Sequence, residues 1–210
     1  MEGIKTHLEM KVMTNNTINF YNEHVKDFAQ DTIEAKMTEV QERFLKHLSA
    51  GSRILDLGCG SGRDSLLFLQ RGFRVTALDG SKELCNSAAK LIGQAVICKT
   101  FDEINYEEEF DGVWACASLL HVTSEELKSA IGNAIKALKP GGVFYNSFKY
   151  GDFEGDRQGR YYTDLTEDTF GKLISNFNEV KIAELWISGD VRPDREEEKW
   201  LNAILFKGNR

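Results

Sequence analysis

The sequence predicts an α/β domain built on a doubly wound, seven-stranded, mostly parallel sheet in a Rossmann-like arrangement. Three observations lead there. From residue 53 onward, short apolar runs alternate with amphipathic helical stretches, the pattern of βαβ units with helices on both faces. A glycine-rich turn over residues 58–62 joins the first apolar run to the first of those helices. The last two apolar runs have no helix between them, which makes them an antiparallel element at one edge.

Taken in order, residues 17–49 read as helix, because Val25, Phe28, Ile33, Met37, Val40, Phe44 and Leu45 recur on a roughly helical period. The first strand is Arg53–Leu57, and the helix after the glycine turn runs from Arg63 to Gln70 and is ended by Gly72. Phe73–Asp79 is the second strand; Ser81 then caps a helix to about Ile92, with Gly93 just beyond it. Ala95–Lys99 and Phe110–Cys116 are the third and fourth strands. Thr123 and Glu126 fit a capping box for a helix to about Leu138, where Pro140-Gly141-Gly142 stops it and turns the chain into a fifth strand, Val143–Phe148. A polar loop over 149–164, a helix near Glu167–Asn176 and two closing strands, Val180–Ser188 and Lys199–Lys207, complete the chain.

At 210 residues the chain suits one domain, read as an N-terminal helical cap over 1–49 and an α/β core over 50–210. Its net charge of −7 disfavours nucleic acid as a partner, which needs clustered cations. No apolar run approaches the ~20 residues of a membrane span. The first residues lack the apolar stretch of a secretion signal, so a cytoplasmic protein without membrane contact is expected. Cys59, Cys85, Cys98 and Cys116 contain no C-x-x-C pair, so no metal site is expected; all four read as buried free thiols.

The segment most informative about chemistry is Ile54-Leu-Asp-Leu-Gly-Cys-Gly-Ser-Gly62. Gly58, Gly60 and Gly62 let backbone approach a ligand and reach positive φ, and the helix that follows offers free N–H groups. A dinucleotide fingerprint, G-x-G-x-x-G, would put its third glycine at residue 63, which is Arg63. Asp56, just before the turn, suits a cationic group better than a pyrophosphate. Asp79 closes the second strand 19 residues after Gly60, where an acid accepts hydrogen bonds from ribose hydroxyls. Together these point to an adenosine-type ligand bearing positive charge.

ILDLGCGSG, VTALDGS, FDGVWACASLLHV and LKPGG together resemble the class I methyltransferases that use S-adenosylmethionine (SAM), over roughly residues 50–148. The stretch DLGCGSGRDSLLFLQRGFRVTALDGS is similar to the small-molecule, tellurite-resistance-type branch. The resemblance implies strand order 3-2-1-4-5-7-6 with strand 7 antiparallel, SAM as cofactor and S-adenosylhomocysteine as product. It also implies site residues: Gly58, Cys59, Gly60 and Gly62 along the methionine part, Asp56 nearby, Asp79 with Gly80 at the ribose, and the ends of Cys116 and Ala117 at the ammonium. After the third strand, relatives carry an acid for the adenine; here Thr100, Phe101 and Asp102 stand at that place. Phe20-Tyr21-Asn22-Glu23-His24-Val25-Lys26-Asp27-Phe28 resembles a segment that folds over the cofactor, with Tyr21 reaching for its carboxylate.

Methyl transfer from a sulfonium needs alignment more than acid–base help, so no catalytic dyad is required. His121, just past the fourth strand, is the candidate base or substrate partner; packing beneath the cofactor is the alternative. Arg63 is expected to serve a local structural role in the first helical turn, with pairing to the SAM carboxylate as the alternative. In the loop after the fifth strand, Arg160, Tyr161 and Tyr162, with Arg157, are candidates for a substrate-binding lid, and Arg192, Asp194 and Arg195 approach the same mouth. Glu107–Glu109 and Glu196–Glu198 read as solvated faces, and His7, His24 and His47 as surface or packing residues. The function expected is methylation of a small molecule. An RNA or protein methyltransferase and a non-catalytic SAM-binding module are the alternatives, and an NAD-dependent oxidoreductase is disfavoured.

Overall fold

A computed structural model describes residues 7–192, 195 and 197–209, with side chains from residue 15. The helical cap is three helices: α1 His7–Glu23, α2 Val25–Ile33 and α3 Thr38–Leu45. The core follows as β1 Arg53–Leu57, α4 Arg63–Gln70, β2 Arg74–Asp79, α5 Lys82–Ile92, β3 Ile97–Cys98, β4 Phe110–Ala115, α6 Ser124–Ala137, β5 Leu138–Lys149, β6 Glu154–Arg157, β7 Arg160–Thr163, α7 Glu167–Ile174, β8 Val180–Gly189 and β9 Lys199–Lys207. The main sheet has seven strands in the order β3-β2-β1-β4-β5-β9-β8. Pairings from β3 to β5 are parallel, and β9 runs antiparallel to both β5 and β8. This is the doubly wound order the resemblance implied.

The caps form as their residues dictate. The Ser81 hydroxyl accepts the Leu84 N–H at 3.1 Å and Gly93 closes α5 at φ 70°. Thr123 and Glu126 exchange the two hydrogen bonds of a capping box.

Three elements depart from expectation. The cap is broken at His24 and again over residues 34–37, so α2 is a separate helix that fully buries none of its residues. β5 begins at Leu138 and passes through Pro140-Gly141-Gly142. The step Phe110–Gly112 on β4 is matched by the longer step Leu138–Val143 on β5, with Gly141 at φ 78°. Proline and glycine here make a bulge rather than a break, as proline must where it cannot donate to the ladder. β3 shrinks to two residues because the Gln94 side chain takes the Val75 carbonyl at 2.9 Å ahead of it and Thr100 then opens a 3-10 turn. At that thin edge Cys98 is exposed, whereas Cys59 and Cys85 are buried and Cys116 is half-buried; all four are free.

The stretch 149–164 is a hairpin, not a loop. Gln158 and Gly159, at φ 55° and 83°, form its two-residue turn, the geometry that matches strand twist. It is not solvated either, since Tyr161, Tyr162, Thr163 and Asp164 are buried. The Tyr161 N–H donates to Thr17 Oγ1 at 2.9 Å and the Thr163 hydroxyl to the Val122 carbonyl at 2.7 Å. The hairpin thus ties α1 to the segment after β4. In a separate core cluster, Trp114 stacks on Tyr145 at 4.1 Å, and Phe44 of α3 fills the same core with Phe68. That contact seats the cap on the sheet.

Candidate cofactor and acceptor site

At the carboxyl edge of β1, the N–H groups of Gly58 and Cys59 both donate to the Leu78 carbonyl at 2.8 and 2.9 Å, folding the turn across the top of β2. Gly58 sits at φ 81°, and a Cβ there would stand 2.4 Å from the Ser118 Cβ. The Ser118 hydroxyl is itself fixed on the Leu57 carbonyl at 2.6 Å. Asp79 accepts the Gly60 N–H on Oδ2 at 2.9 Å and the Ser81 N–H on Oδ1 at 2.8 Å. Burial raises its pKa against these donors. A cavity of about 680 Å³ opens here between Gly58, Gly60, Asp79, Gly80, Phe101 and Ala117, roofed by Thr17, Ile18 and Tyr21 of α1. The Phe28 ring lies 3.1 Å from where a Gly60 Cβ would be, and Ile18 holds the same relation to Gly80 at 3.2 Å. Side chains of the cap therefore lie directly on the small-residue floor.

Behind the turn are two acids with opposite fates. Asp64 accepts from Gln41, from Trp114 and twice from Arg63, at 2.7–2.9 Å, and its pKa is lowered by Arg63 and these donors despite its burial. Arg63 also donates to the Thr32 carbonyl at 3.2 Å, the local structural role expected of it. Asp56, 2% exposed, accepts only the Ser65 hydroxyl among the hydrogen bonds resolved, at 2.6 Å. Burial and then the charge of Asp64 push its pKa up to about 8. It is a carboxyl waiting for a cation.

His121 and Tyr21 meet where this cavity joins a second one. The Tyr21 hydroxyl lies 2.8 Å from His121 Nε2, and His121 Nδ1 lies 2.8 Å from the Tyr161 carbonyl. A carbonyl only accepts, so Nδ1 carries the proton and Nε2 is a bare acceptor for the phenol. Burial first, then the nearby Arg160 charge, pulls the His121 pKa down to about 4, while burial raises that of Tyr21. The pair is neutral at physiological pH.

The second cavity, about 860 Å³, lies between Cys116, Tyr145 and Ser147 on the sheet edge, Arg157, Arg160 and Tyr162 on the hairpin, and Asp190, Arg192 and Trp200 beyond β8. Both cavities share Tyr21, Phe28, Gly58, Gly60, Ala117 and His121. Ala117 holds φ 51°, an unusual conformation for a residue with a Cβ, with its N–H donated to Ser147 Oγ at 2.8 Å.

The remaining expected site residues divide. Thr100, Phe101 and Asp102 line the smaller cavity, but the Thr100 hydroxyl is committed to Asp102 and Glu103, and the Phe101 carbonyl accepts from Asn133 at 3.1 Å. Asp56 and Cys59 border the larger cavity. Gly62 borders neither. A Cβ there would meet Ala88 at 3.1 Å, so its glycine serves the packing of α4 on α5. Tyr161 is also turned away: its hydroxyl donates to Glu154 at 2.8 Å, and only its carbonyl serves the site, through His121. The Cys116 thiol, pushed up to about 12 by burial, is no nucleophile. Asp194 and Glu196 lie outside the described residues, as does the side chain of His7. His24 stacks on Phe20, and His47 lies against Phe206 and Glu184. Residues not anticipated include Ser147, Asp64 and Trp200. Phe28 was legible as the last residue of the segment expected to fold over the cofactor, and it borders both cavities. Ser147 was legible only by counting alternate residues along β5.

Residues 54–142 match the family model described as a methyltransferase domain. Over that stretch, less than half of its length, the chain is similar to the SAM-dependent methyltransferases that its sequence resembles. An uncharacterised methyltransferase of Synechocystis sp. is 33% identical over 99 residues, 46% of this chain and 47% of that protein. An O-methyltransferase of Aspergillus sclerotiorum is 29% identical over 133 residues, covering 56% and 50%. The match thus spans about half the length of these curated relatives. In overall fold the chain is similar to a Burkholderia thailandensis 1,6-didemethyltoxoflavin-N1-methyltransferase, solved with 1,6-didemethyltoxoflavin and S-adenosylhomocysteine. That likeness has a TM-score of 0.78 at 21% identity, over 100% of this chain and 93% of that one. An N-methyltransferase of Bradyrhizobium japonicum gives 0.72 at 17%, over 91% and 98%.

The residues of this site fit the cofactor of those methyltransferases. The floor that a Cβ at Gly58 would obstruct leaves room for a nucleoside, Asp79 is a half-buried acceptor at the mouth of β2, and Asp56 is a buried acid without a cationic partner close enough to ionise it.

Proposed function

We propose that this chain transfers a methyl group from SAM to a small-molecule acceptor, as a single cytoplasmic domain whose residues 1–49 cap the core at 50–210. One observation carries this reading: two cavities of different character meet at a narrow shared wall of Tyr21, Phe28, Gly58, Gly60, Ala117 and His121. One suits a nucleoside, and the other, enclosed by the hairpin, has the volume of a small-molecule site. The activities of the similar proteins, on 1,6-didemethyltoxoflavin and as O- and N-methyltransferases, support a small acceptor. No helix among the described residues is long and apolar enough to cross a membrane.

Bound SAM supplies an electrophilic methyl on a sulfonium. The chain's part is binding and alignment. Asp79 receives the ribose hydroxyls, Gly58, Gly60 and Gly80 admit the ligand, and Thr100, Phe101 and Asp102 border the base. Asp56 and the backbone carbonyl offered just past β4, at Cys116 and Ala117, would receive the ammonium. Phe28 and Tyr21 close the roof and exclude water. Where the acceptor must lose a proton, the Tyr21 oxygen takes it while the phenol passes its own to His121 Nε2, which is unprotonated at neutral pH.

Thermal-shift measurements with SAM, S-adenosylhomocysteine and NAD test the cofactor. Stabilisation by the first two is expected; stabilisation by NAD alone would overturn the assignment. A panel of small acceptors, a structured RNA and unfolded protein, assayed for release of S-adenosylhomocysteine, tests the acceptor class. Turnover on RNA or protein alone counts against a small molecule.

A further inference from the structure

The larger cavity is walled by charge, and of the described lining cations that are not exposed all but one are paired with an acid. Arg63 holds Asp64 at 2.8 Å, Arg157 holds Asp164 at 2.6 Å, and Arg192 holds Asp190 at 2.5 Å. Lys149 lies against Glu198 and 3.7 Å from Asp190. Arg160 differs. It makes no ion pair among the described residues, and its Nε is buried with no hydrogen-bond partner. Three rings fix the guanidinium instead: Phe20 at 4.9 Å, Tyr162 at 5.4 Å and Tyr21 at 6.0 Å from its central carbon.

Arg160 is half-buried and also engages the Tyr21 side chain. Even so, a buried N–H of a permanently charged group left without an acceptor is costly, and a fork already held in one orientation loses little entropy when it binds a planar oxyanion. The rings that hold it are flat apolar surfaces beside the cavity, next to the point where Tyr21 meets His121. Resting on the methyltransferase assignment above, we infer that the acceptor is a planar organic carboxylate, and that Arg160 seats its carboxylate in the larger cavity beside the Tyr21–His121 pair.

The placement has a second consequence. Arg160 is one of the groups that hold His121 in its neutral form, together with the burial contributed by Tyr21 on α1 and Tyr162 on β7. A carboxylate on Arg160 offsets that charge, so His121 becomes easier to protonate when the acceptor is present. The acceptor's own anion strengthens the proton-accepting group beside it.

Benzoate and its neutral isostere benzamide are the probes. Binding is followed by ligand-observed NMR on protein saturated with S-adenosylhomocysteine and on cofactor-free protein. At least a tenfold preference for benzoate is expected. It should vanish in Arg160→Gln and survive in part in Arg160→Lys, with affinity for S-adenosylhomocysteine changed less than twofold in both. That unchanged affinity also certifies that the variants fold. Benzoate should raise the His121 titration midpoint, read from its ring 15N shifts, in the wild type and not in Arg160→Gln. Equal binding of the two probes, or a preference that survives Arg160→Gln, overturns the inference. So does a loss of cofactor affinity in Arg160→Gln, which would assign the guanidinium to the cofactor's carboxylate. Failure of the wild type to bind S-adenosylhomocysteine would sink the methyltransferase assignment, while the probe preference in cofactor-free protein would still report on Arg160.

Discussion

The two halves of the site are made from different materials. Between β1 and β3 the smaller cavity is shaped by backbone: two glycines at positive φ, two N–H groups on one carbonyl, and an acid held by main-chain donors. Between β5 and β9 the larger cavity is shaped by side chains, with ion pairs and rings drawn from α1, the hairpin and the final strands. Backbone geometry tolerates almost no substitution, whereas a side-chain wall can be rebuilt one residue at a time. The first half suits a cofactor that never changes and the second an acceptor that does.

If that contrast is right, the largest single loss comes from the floor of the first half. Gly58→Ala places a Cβ 2.4 Å from a Ser118 side chain that is pinned to Leu57, at a φ of 81° that alanine resists. Strain and overpacking together should cost roughly 3 kcal/mol of stability. Cofactor binding should fall at least a hundredfold, as read by denaturant melts and calorimetry with S-adenosylhomocysteine. Parental affinity would show that the turn is not the cradle.

Asp79→Ala comes next. It removes the acceptor from the mouth of β2 and releases the Gly60 and Ser81 N–H groups. Binding of S-adenosylhomocysteine should weaken by about 1–3 kcal/mol, since ribose hydroxyls lose a charged partner. Titration calorimetry with an affinity unaltered from wild type would remove the ribose role.

The same contrast explains what could be read from the chain in advance. The turn, Asp56 and Asp79 occupy 24 consecutive positions, because a strand, a tight turn, a helix and the next strand must follow one another to make that floor. The sheet order came with the resemblance those residues carry. Over 149–164 the sequence left a lid and a solvated hairpin as alternatives, because Gln158-Gly159 is a weak signal for a turn that Asn-Gly announces strongly and the charged, glycine-rich stretch gives no sign of burial. Tyr161 was misplaced for a reason of period: adjacent residues on a strand point to opposite faces, so Tyr161 and Tyr162 could not both line the mouth. The Tyr21–His121 contact joins residues 100 apart through the seating of α1, and no local pattern encodes that distance.

Tyr21→Phe probes the seam between the halves with a smaller effect. The ring keeps its place against Phe28 while His121 Nε2 loses its donor. Cofactor affinity should change little, and kcat on a protonated acceptor should drop about 10- to 100-fold. Because the His121 pKa lies near 4, its ring should stay neutral from pH 5 to 8 in 15N spectra of the wild type. A midpoint near 6.5 would mean the imidazole is open to water and the pair is not formed.

Asp56→Asn should have the smallest effect and a sign opposite to most buried substitutions. The folded carboxyl has a pKa of about 8 against an ordinary 3.8, so the unfolded chain ionises where the folded one does not. Its contribution to stability is intact below about pH 4 and is lost as the pH rises through about 8. The amide keeps an acceptor for the Ser65 hydroxyl and never ionises. Denaturant melts should therefore show the variant gaining on the wild type between pH 5 and 8. The cofactor side of the comparison sharpens the same residue. If the ligand's ammonium settles beside Asp56, the carboxyl ionises on binding. Calorimetry at pH 7 in phosphate and in Tris should then register proton release in the wild type and none in Asp56→Asn. An identical buffer dependence in both proteins would place the ammonium elsewhere and leave Asp56 as a purely internal partner of Ser65.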